Sequence, residues 1–228
     1  MNKAAVLLKR LFDVGTVRVG DVKLHSSRRD VPKGVQKALF NGKYERFERE
    51  MVVAHVKPGD RVLEIGVGVG LITLTAASKV GADHIWSYEA NPALEPLIRR
   101  NFALNGLHPD LTMKAVTADG RDLVFYQDKK VLSSSIFDRK LEGGEVTVKS
   151  VAIQTLIERH DPNVLILDVE GAELEILPAA DLSHVDRIIV EMHPHVIGAD
   201  KVEGLLADLA AQGFKLIEKQ SITYYLAR

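Results

Sequence analysis

The sequence predicts an α/β fold with a mostly parallel sheet and an antiparallel edge. Five short apolar runs recur along the chain and helical patterns follow several of them, which is typical of βαβ units. After Gly213, the segments FKLIEK and TYYLAR have the pattern of a terminal hairpin, which supplies the antiparallel edge. The five runs are RVLEIG, HIWSYE, LTMKAV, NVLILD and RIIVEM.

The segment before the first run predicts a small cap. Residues 3–13 can form a short helix, and VRVGDVKL (17–24) predicts a hairpin that turns at Gly20 and Asp21. Apolar residues recur at helical spacing from Phe47 to Ala54, before Pro58, which indicates an amphipathic helix. We therefore expect an N-terminal helix and hairpin extension over residues 1–45 and a single catalytic domain over residues 46–228.

The later segments complete the βαβ pattern. Helices are predicted at 93–104 and 201–212, the second with a continuous apolar face. Residues 120–155 form a longer, more polar stretch that contains VFYQD and EVTVKSV. This stretch predicts an inserted hairpin and a loop over the carboxyl end of the sheet.

Composition and charge narrow the classes of function. The 228 residues carry a net charge of −1 and no cysteine, so a disulfide framework, a thiolate metal site and a cysteine nucleophile are excluded. The balanced charge gives no general reason to expect nucleic acid as a partner. The N-terminal apolar run is short and is broken by Lys9 and Arg10, which predicts neither a signal peptide nor membrane insertion. A cytoplasmic enzyme or binding protein is the expectation.

The stretch VLEIGVGVG joins the first core strand to a helix. Gly66, Gly68 and Gly70 allow positive φ and a close approach of the backbone to a ligand. A dinucleotide fingerprint needs a third glycine at position 71, where this chain has leucine, so a nicotinamide cofactor is disfavoured. Glu89 ends the second strand, at roughly the 20-residue spacing where an acid in this fold accepts hydrogen bonds from ribose. Together the two features indicate a nucleotide-containing cofactor.

Glu64 lies inside the apolar strand that precedes the glycines. A carboxylate in such a place needs a partner, and a cationic ligand would supply one.

With these motifs the chain resembles the class I S-adenosylmethionine-dependent methyltransferases, and more narrowly the FkbM family of O-methyltransferases. The motifs are VLEIGVGVGLITL, YEANP, NFALNG and, most specific of all, LDVEGAE. The resemblance runs from GKYERFE to the terminal hairpin and implies a three-layer, Rossmann-like fold. It also implies a donor site in which Glu64 and the three glycines surround the methionine portion and Glu89 holds the ribose. Thr117, Ala118 and Asp119 would then approach the adenine.

Two positions depart from the family pattern. Relatives usually carry lysine two places before the aspartate of LDVEGAE, where this chain has Ile166, and asparagine is common where Gly68 stands. The donor site is expected to tolerate both changes, whereas a substrate or catalytic role for that lysine is put in doubt.

Carboxylates and histidines follow the last two parallel strands. Asp168 and Glu170 alternate with Val169, so both can face one crevice only if the chain turns, as Gly171 suggests. Alternatively, Asp168 or Glu170 caps the helix that begins near Ala172. The fifth strand ends in VEMHPH, which places Glu191, His193 and His195 at the neighbouring position, with His193 the stronger candidate for a direct role.

Methyl transfer to a hydroxyl requires removal of the hydroxyl proton by a general base or activation of the oxygen by a metal. Asp168, Glu170 and His193 are the candidate catalytic residues, and the same atoms could bind a divalent cation. Metal dependence stays open at this point.

The class of methyl acceptor is narrowed by motifs and residue types that the sequence lacks. The chain has no Asn-Pro-Pro-Tyr-like segment and no cysteine, which disfavours amide or base nitrogen and pyrimidine carbon as acceptors. A hydroxylated small molecule such as a sugar or natural product is expected. The serines and bases of KKVLSSSIFDRK (129–140) could hydrogen-bond a polyol or a sugar phosphate, although a plain polar loop explains them equally well.

Two other classes of function remain as alternatives. One is a non-catalytic protein that keeps the methyltransferase fold and binds the donor or a partner, and the other, less favoured, is a nicotinamide-dependent oxidoreductase. A homo-oligomer is compatible with the sequence.

Overall fold

The computed structural model describes residues 3–126 and 145–228. The N-terminal elements are α1 (Lys3–Leu11), β1 (Thr16–Val19), β2 (Val22–His25), α2 (Lys33–Asn41) and α3 (Arg46–His55). The central elements are β3 (Val62–Ile65), α4 (Leu71–Val80), β4 (Ile85–Tyr88), α5 (Glu95–Asn105), β5 (Asp110–Thr112), β6 (Ala115–Thr117), β7 (Leu123–Tyr126), β8 (Glu145–Val148) and β9 (Ser150–Ala152). The last elements are α6 (Ile153–His160), β10 (Val164–Leu167), α7 (Glu173–Ile176), β11 (Arg187–Glu191), α8 (Pro194–Ile197), α9 (Ala199–Ala211), β12 (Lys215–Gln220) and β13 (Thr223–Ala227).

The core of the protein is a seven-stranded sheet with the order β12-β13-β11-β10-β3-β4-β5. The pairs from β11 through β10, β3 and β4 to β5 are parallel. Strand β13 is antiparallel to both β11 and β12. The predicted mostly parallel sheet with an antiparallel terminal hairpin is confirmed.

Helices cover both faces of this sheet, which gives three layers. Along β10, Leu165 and Leu167 pack in one apolar cluster with residues of α6 and α9. The alternate residues Val164 and Ile166 pack in a second cluster with residues of α3 and α4. Every residue of β10 is buried, as expected for a parallel strand covered on both faces.

The N-terminal extension contains the predicted helix and hairpin, with Gly20 and Asp21 at the turn. Helix α2 was not predicted. The extension packs on the domain through a shared apolar cluster, in which Leu24 and Phe40 join Ile98 and Phe102 of α5. Nothing in this packing fixes a domain boundary, so the division at residue 45 stays a prediction.

The prediction that LTMKAV forms one core strand is wrong, because the segment is divided between two strands of different sheets. Strand β5 joins the main sheet beside β4, whereas β6 pairs with β9 in a separate two-stranded sheet. The chain turns between them, where the Lys114 backbone N–H donates to the Thr112 carbonyl at 3.0 Å. Since Lys114 is exposed, the apolar run is interrupted at the position where the strand ends.

The inserted hairpin is confirmed, since β7 and β8 pair in antiparallel fashion. The predicted loop at 129–140 lies outside the described residues. Across the part of the chain that the structure describes, no helix has the length and apolar character needed to cross a bilayer.

Candidate functional site

A cavity of about 340 Å³ opens at the carboxyl end of the parallel strands. Its volume lies in the usual range for small-molecule sites, and its position is where open α/β sheets bind ligands. The residues that line it come from α2, the turn before α3, the last residues of β3, β4 and β11, the segments that follow β3, β4, β5 and β10, and strands β6 and β7. They are Val35, Tyr44, Glu45, Ile65, Gly66, Gly68, Tyr88, Glu89, Ala90, Asn91, Leu94, Lys114, Ala115, Val116, Leu123, Asp168, Val169, Glu170, Ala172 and Glu191.

The glycine loop is shaped largely by the protein's own atoms. Its three glycines have φ of 91°, 57° and 85°. A Cβ on Gly66 would lie 1.9 Å from the carbonyl oxygen of Asp168, so only glycine allows β3 and β10 to end side by side. A Cβ on Gly68 would meet the hydroxyl of Tyr44 and a carboxylate oxygen of Glu45, both at 2.9 Å. Gly66 and Gly68 line the cavity.

Glu89 holds the glycine loop in place by accepting hydrogen bonds from the backbone. Its Oε2 accepts hydrogen bonds from the backbone N–H groups of Val67 and Gly68 at 3.0 and 3.1 Å, and its Oε1 accepts from Asn91 N at 2.8 Å. Burial raises the pKa of Glu89, and these backbone donors oppose the shift. Glu89 lines the cavity, so a ribose hydroxyl bound there can approach its carboxylate. The predicted ribose contact stays a prediction with compatible geometry.

Glu64 lies on the α4 side of the sheet and is fully buried. Its Oε2 accepts hydrogen bonds from Thr73 Oγ1 and Ser87 Oγ, both at 2.6 Å. Burial raises its pKa to about 7 despite these two hydroxyls. Glu64 is not among the residues that line the cavity, although its buried Oε1 has no hydrogen-bond partner. Its role in donor binding stays a prediction.

The turn Thr117–Asp119 lies beside the cavity lining. Thr117 Oγ1 accepts from Gly120 N, the backbone N–H of Ala118 donates to Glu175, and Asp119 pairs with Arg121. The three preceding residues, 114–116, line the cavity instead. An adenine contact from 117–119 stays a prediction, and the structure adds 114–116 as nearer candidates.

Tyr44 and Glu45 are site residues that the sequence reasoning missed. Glu45 is the residue before α3 and has φ of 44°, a left-handed conformation that directs the chain across the glycine loop. The adjacent Glu48 is buried, and burial together with Asp168 and Glu45 raises its pKa. The signal in the sequence was the segment GKYERFE, where Tyr44 and Glu45 come directly before an amphipathic helix and Glu48 lies in its first turn.

The LDVEGAE segment turns as predicted. Strand β10 ends at Leu167, and Glu170 and Gly171 have φ of 53° and 111°. Both Asp168 and Glu170 therefore reach the cavity wall. Helix α7 has Ala172 at its N-cap and makes no side-chain cap hydrogen bond, so the capping alternative is not observed.

His193 stands at the centre of the acidic cluster. Its Nε2 lies 3.7 Å from Asp168 Oδ1, 3.6 Å from Glu191 Oε1 and 3.9 Å from Glu170 Oε2. Its Nδ1 lies 3.0 Å from Oε1 of Glu173, which is completely buried. The predicted residues Asp168, Glu170 and His193 are thus brought together, and Glu173, at the start of α7, orients the imidazole.

The electrostatics of the cluster follow from burial and crowding. Burial and the neighbouring Glu191 raise the pKa of Asp168 to about 8. Burial opposes the charged form of His193, but the hydrogen bond to Glu173 and the charge of Asp168 raise its pKa to about 9. Burial and the mutual repulsion of the acids therefore oppose a fully charged cluster, and His193 offsets part of that repulsion.

Ile166 occupies the position where relatives usually have lysine. It is fully buried among apolar residues of β11 and α3, so this position contributes no charged group to the site.

This site fits S-adenosylmethionine. The donor carries two cationic groups, a sulfonium and an ammonium, and the cavity wall offers the carboxylates of Glu45, Asp168, Glu170 and Glu191. Glu89 and the glycine loop lie at the ends of adjacent strands, where nucleosides bind in this fold. A three-layer sheet with this order and this cavity defines a class I S-adenosylmethionine-dependent methyltransferase.

The family follows from the sequence match. Residues 53–216 match the model of the methyltransferase FkbM domain. The chain belongs to this family, and its cofactor is S-adenosylmethionine.

Three known proteins show how far the likeness extends. A ribosomal protein L11 methyltransferase from Oceanobacillus iheyensis is 36% identical over 61 residues, which are 27% of this chain and 19% of that protein. The chain therefore matches only a small part of that relative. Among solved structures, a protein named provisionally as an rRNA methylase from Clostridium thermocellum has a TM-score of 0.50 at 12% identity, over 79% of this chain and 93% of that one. TYW2 from M. jannaschii, solved with S-adenosylmethionine, has a TM-score of 0.48 at 12% identity, over 92% and 82% of the two chains.

Proposed function

We propose that this methyltransferase transfers the methyl group of S-adenosylmethionine to a hydroxyl oxygen of a small molecule, most simply a sugar or a natural-product scaffold. The observation that carries the proposal is the cluster around His193, whose Nε2 lies 3.7 Å from Asp168 Oδ1 and 3.9 Å from Glu170 Oε2, both on residues that line the cavity. A hydroxyl must lose its proton as it is methylated, and each of these three groups can accept that proton in its deprotonated form.

The bond changes are simple. When bound, S-adenosylmethionine supplies an electrophilic methyl group that leaves its sulfonium as the new O–C bond forms. The O–H bond of the acceptor breaks, and the proton passes to Asp168, Glu170 or His193. The remaining task of the chain is alignment, which the rigid ends of β3, β10 and β11 support.

The charge of the cavity favours a neutral acceptor over a polyanion. Among the described residues, the cavity lining holds one cation, Lys114, on the segment that follows β5, and five carboxylates: Glu45, Glu89, Asp168, Glu170 and Glu191. RNA or a sugar phosphate would bring phosphates towards these carboxylates, at an electrostatic cost. We therefore propose a hydroxylated small molecule, with no nucleic acid partner.

The test is a screen with labelled donor. The purified chain is incubated with S-adenosylmethionine labelled in the methyl group and with sugars, nucleotide sugars and hydroxylated natural products. RNA and ribosomal protein serve as competing acceptors, and products are identified by mass spectrometry. An O-methyl ether on a small molecule supports the proposal. Transfer to RNA or protein alone would overturn it, and donor binding with no product would favour the non-catalytic alternative.

The roles of the candidate bases are tested separately. Asp168, Glu170 and His193 are each replaced by alanine, and donor affinity is measured beside turnover. At least one variant is expected to lose turnover by a factor of about 100 to 10,000, the usual contribution of a general base. Wild-type turnover in all three would exclude them as bases.

A further inference from the structure

Metal-ligating side chains from the ends of two adjacent strands meet beside the cavity, which Asp168 and Glu191 line. Asp168 comes directly after β10. Glu191 is the last residue of β11, and His193 lies two residues further along the chain. One ligand atom from each of these three residues lies within 4.8 Å of the other two. Parallel strands end at the same edge, so the separation is fixed by the sheet rather than by a flexible loop.

The distances suit a shared ion. Two ligands about 2.1 Å from one cation and at ordinary coordination angles lie about 3.0 to 3.4 Å apart. His193 Nε2 is 3.7 Å from Asp168 Oδ1 and 3.6 Å from Glu191 Oε1, outside hydrogen-bond range and within a few tenths of an ångström of that spacing. All three ligand atoms lie within 4.8 Å of one another, so rotation of the Asp168 and Glu191 side chains can bring them to one ion.

Two further observations distinguish this cluster from a chance group of acids. Asp168 Oδ1 is buried and has no hydrogen-bond partner. The side chain of His193 is 4% exposed, and its Nδ1 is engaged by the buried Glu173, so its other nitrogen is presented to the acids. A carboxylate behind a histidine is the usual arrangement behind a metal-bound imidazole, because it fixes the tautomer and the ring orientation.

We propose that Asp168, Glu191 and His193 bind a divalent cation, with Glu173 as the positioning residue for the histidine. One imidazole with two carboxylates favours Mn²⁺ or Zn²⁺ over the purely oxygen-seeking Ca²⁺. Three protein ligands leave coordination positions open, and these can take hydroxyl oxygens of an acceptor. Because the ion occupies the lone pair of His193 Nε2, Glu170 is then the candidate base that lies outside the ligand set.

Metal binding is tested without turnover, so its outcome is independent of the acceptor. The full chain is stripped with chelator and titrated with MnCl₂, with bound ion followed by calorimetry and by loss of the free Mn²⁺ paramagnetic resonance signal. We expect one ion per chain, with affinity reduced at least tenfold in Asp168→Asn, Glu191→Gln and His193→Asn. Glu173→Gln is expected to weaken binding by a factor of about 10 to 100. The exposed changes Asp208→Asn and Glu203→Gln are controls that leave the affinity unchanged.

Three results would overturn the proposal. They are no Mn²⁺ binding at millimolar concentration, equal affinity in the wild type and the Asp168 and Glu191 variants, or tighter binding of Ca²⁺ than of Mn²⁺. Thermal melting checks that each variant folds. If His193→Asn does not fold, selective broadening of the His193 imidazole resonances by trace Mn²⁺ in the wild-type chain replaces it, and unbroadened resonances count against the site.

Discussion

Glu173 and His193 form a buried pair in which Oε1 of the carboxylate and Nδ1 of the imidazole lie 3.0 Å apart. The carboxylate is at the start of α7 and the histidine follows β11, so two successive crossovers of the fold meet at this contact. The pair leaves Nε2 of the imidazole directed at the acids that line the cavity.

The first prediction concerns this pair. Glu173→Gln keeps the size of the side chain but offers an amide that can donate to Nδ1 and reverse the tautomer. Turnover is expected to fall by a factor of about 10 to 100, as for other residues that orient a reactive or ligating histidine. Affinity for S-adenosylhomocysteine, measured by calorimetry, should stay within twofold.

The matched control is Glu203→Gln on the exposed face of α9, which should leave turnover unchanged. Wild-type turnover in the Glu173 variant would show that the pair is structural only.

The second prediction concerns Glu89 and the ribose. Glu89→Gln places amide hydrogens where a carboxylate now accepts from Val67 and Gly68, so donor binding is expected to weaken. A hydrogen bond to a charged group contributes about 1.5 to 3 kcal/mol, which corresponds to a loss of about 10- to 100-fold in affinity. Binding of S-adenosylhomocysteine and of its 2′-deoxyribose analogue is measured for both proteins.

The analogue separates two roles of Glu89. If the carboxylate binds the ribose, the variant loses more affinity for the hydroxylated ligand than for the deoxy analogue. Equal losses would mean that Glu89 acts only by holding the glycine loop.

The third prediction concerns Gly66. An alanine Cβ there would stand 1.9 Å from the carbonyl oxygen of Asp168, in a backbone conformation with φ of 91°. The strained φ costs about 1 to 2 kcal/mol and overpacking about 1 to 3 more. Gly66→Ala is therefore expected to lower the free energy of unfolding by more than about 2 kcal/mol in denaturant titration.

Gly204 in α9 offers the opposite case, since a Cβ there meets no atom within 4 Å. Gly204→Ala should stabilise the protein by up to about 1 kcal/mol, because alanine is the better helix former. A Gly66 variant as stable as the wild type would contradict the packing argument.

The fourth prediction concerns pH and the buried ion pair between Asp60 and Arg187. Two hydrogen bonds of 2.7 and 2.8 Å join the carboxylate and guanidinium groups. Burial opposes ionisation of Asp60, but the hydrogen bonds from Arg187, the Lys57 backbone and Asn163 hold its pKa below the ordinary value. Because the pKa is lower in the folded state, the contribution of Asp60 to stability is fully present above about pH 4 and is lost as pH falls through the folded pKa.

Asp60→Asn leaves Arg187 buried without its charge partner and should cost about 3 kcal/mol or more at pH 7. Below about pH 4, Asp60 becomes protonated in the wild type as well. The difference in unfolding free energy between the wild type and Asp60→Asn should therefore become smaller there. Asp208→Asn, at an exposed position of α9, should show neither effect. A difference that stays constant from pH 7 to pH 3 would contradict the assignment.

The sequence by itself determined the sheet and the terminal hairpin, and it predicts a donor site at the glycine loop. These follow from local patterns: apolar runs of strand length, helical periodicity, and glycines or acids at strand ends. The run LTMKAV misled because periodicity cannot show that Lys114 turns the chain between two sheets. Periodicity also could not show that residues 114–116 line the cavity, next to the turn 117–119 that was predicted to approach the adenine.

Only the tertiary structure decided which side chains meet. Tyr44 and Glu45 reach the glycine loop through a left-handed turn whose direction the local pattern does not predict, and Glu173 contacts His193 across twenty residues of chain. Glu64 is directed to Thr73 and Ser87 on the α4 side of the sheet. Strand register and crossover packing set these contacts, and both depend on residues far apart in the sequence, whereas the glycine loop and the strand-end acids depend on neighbours.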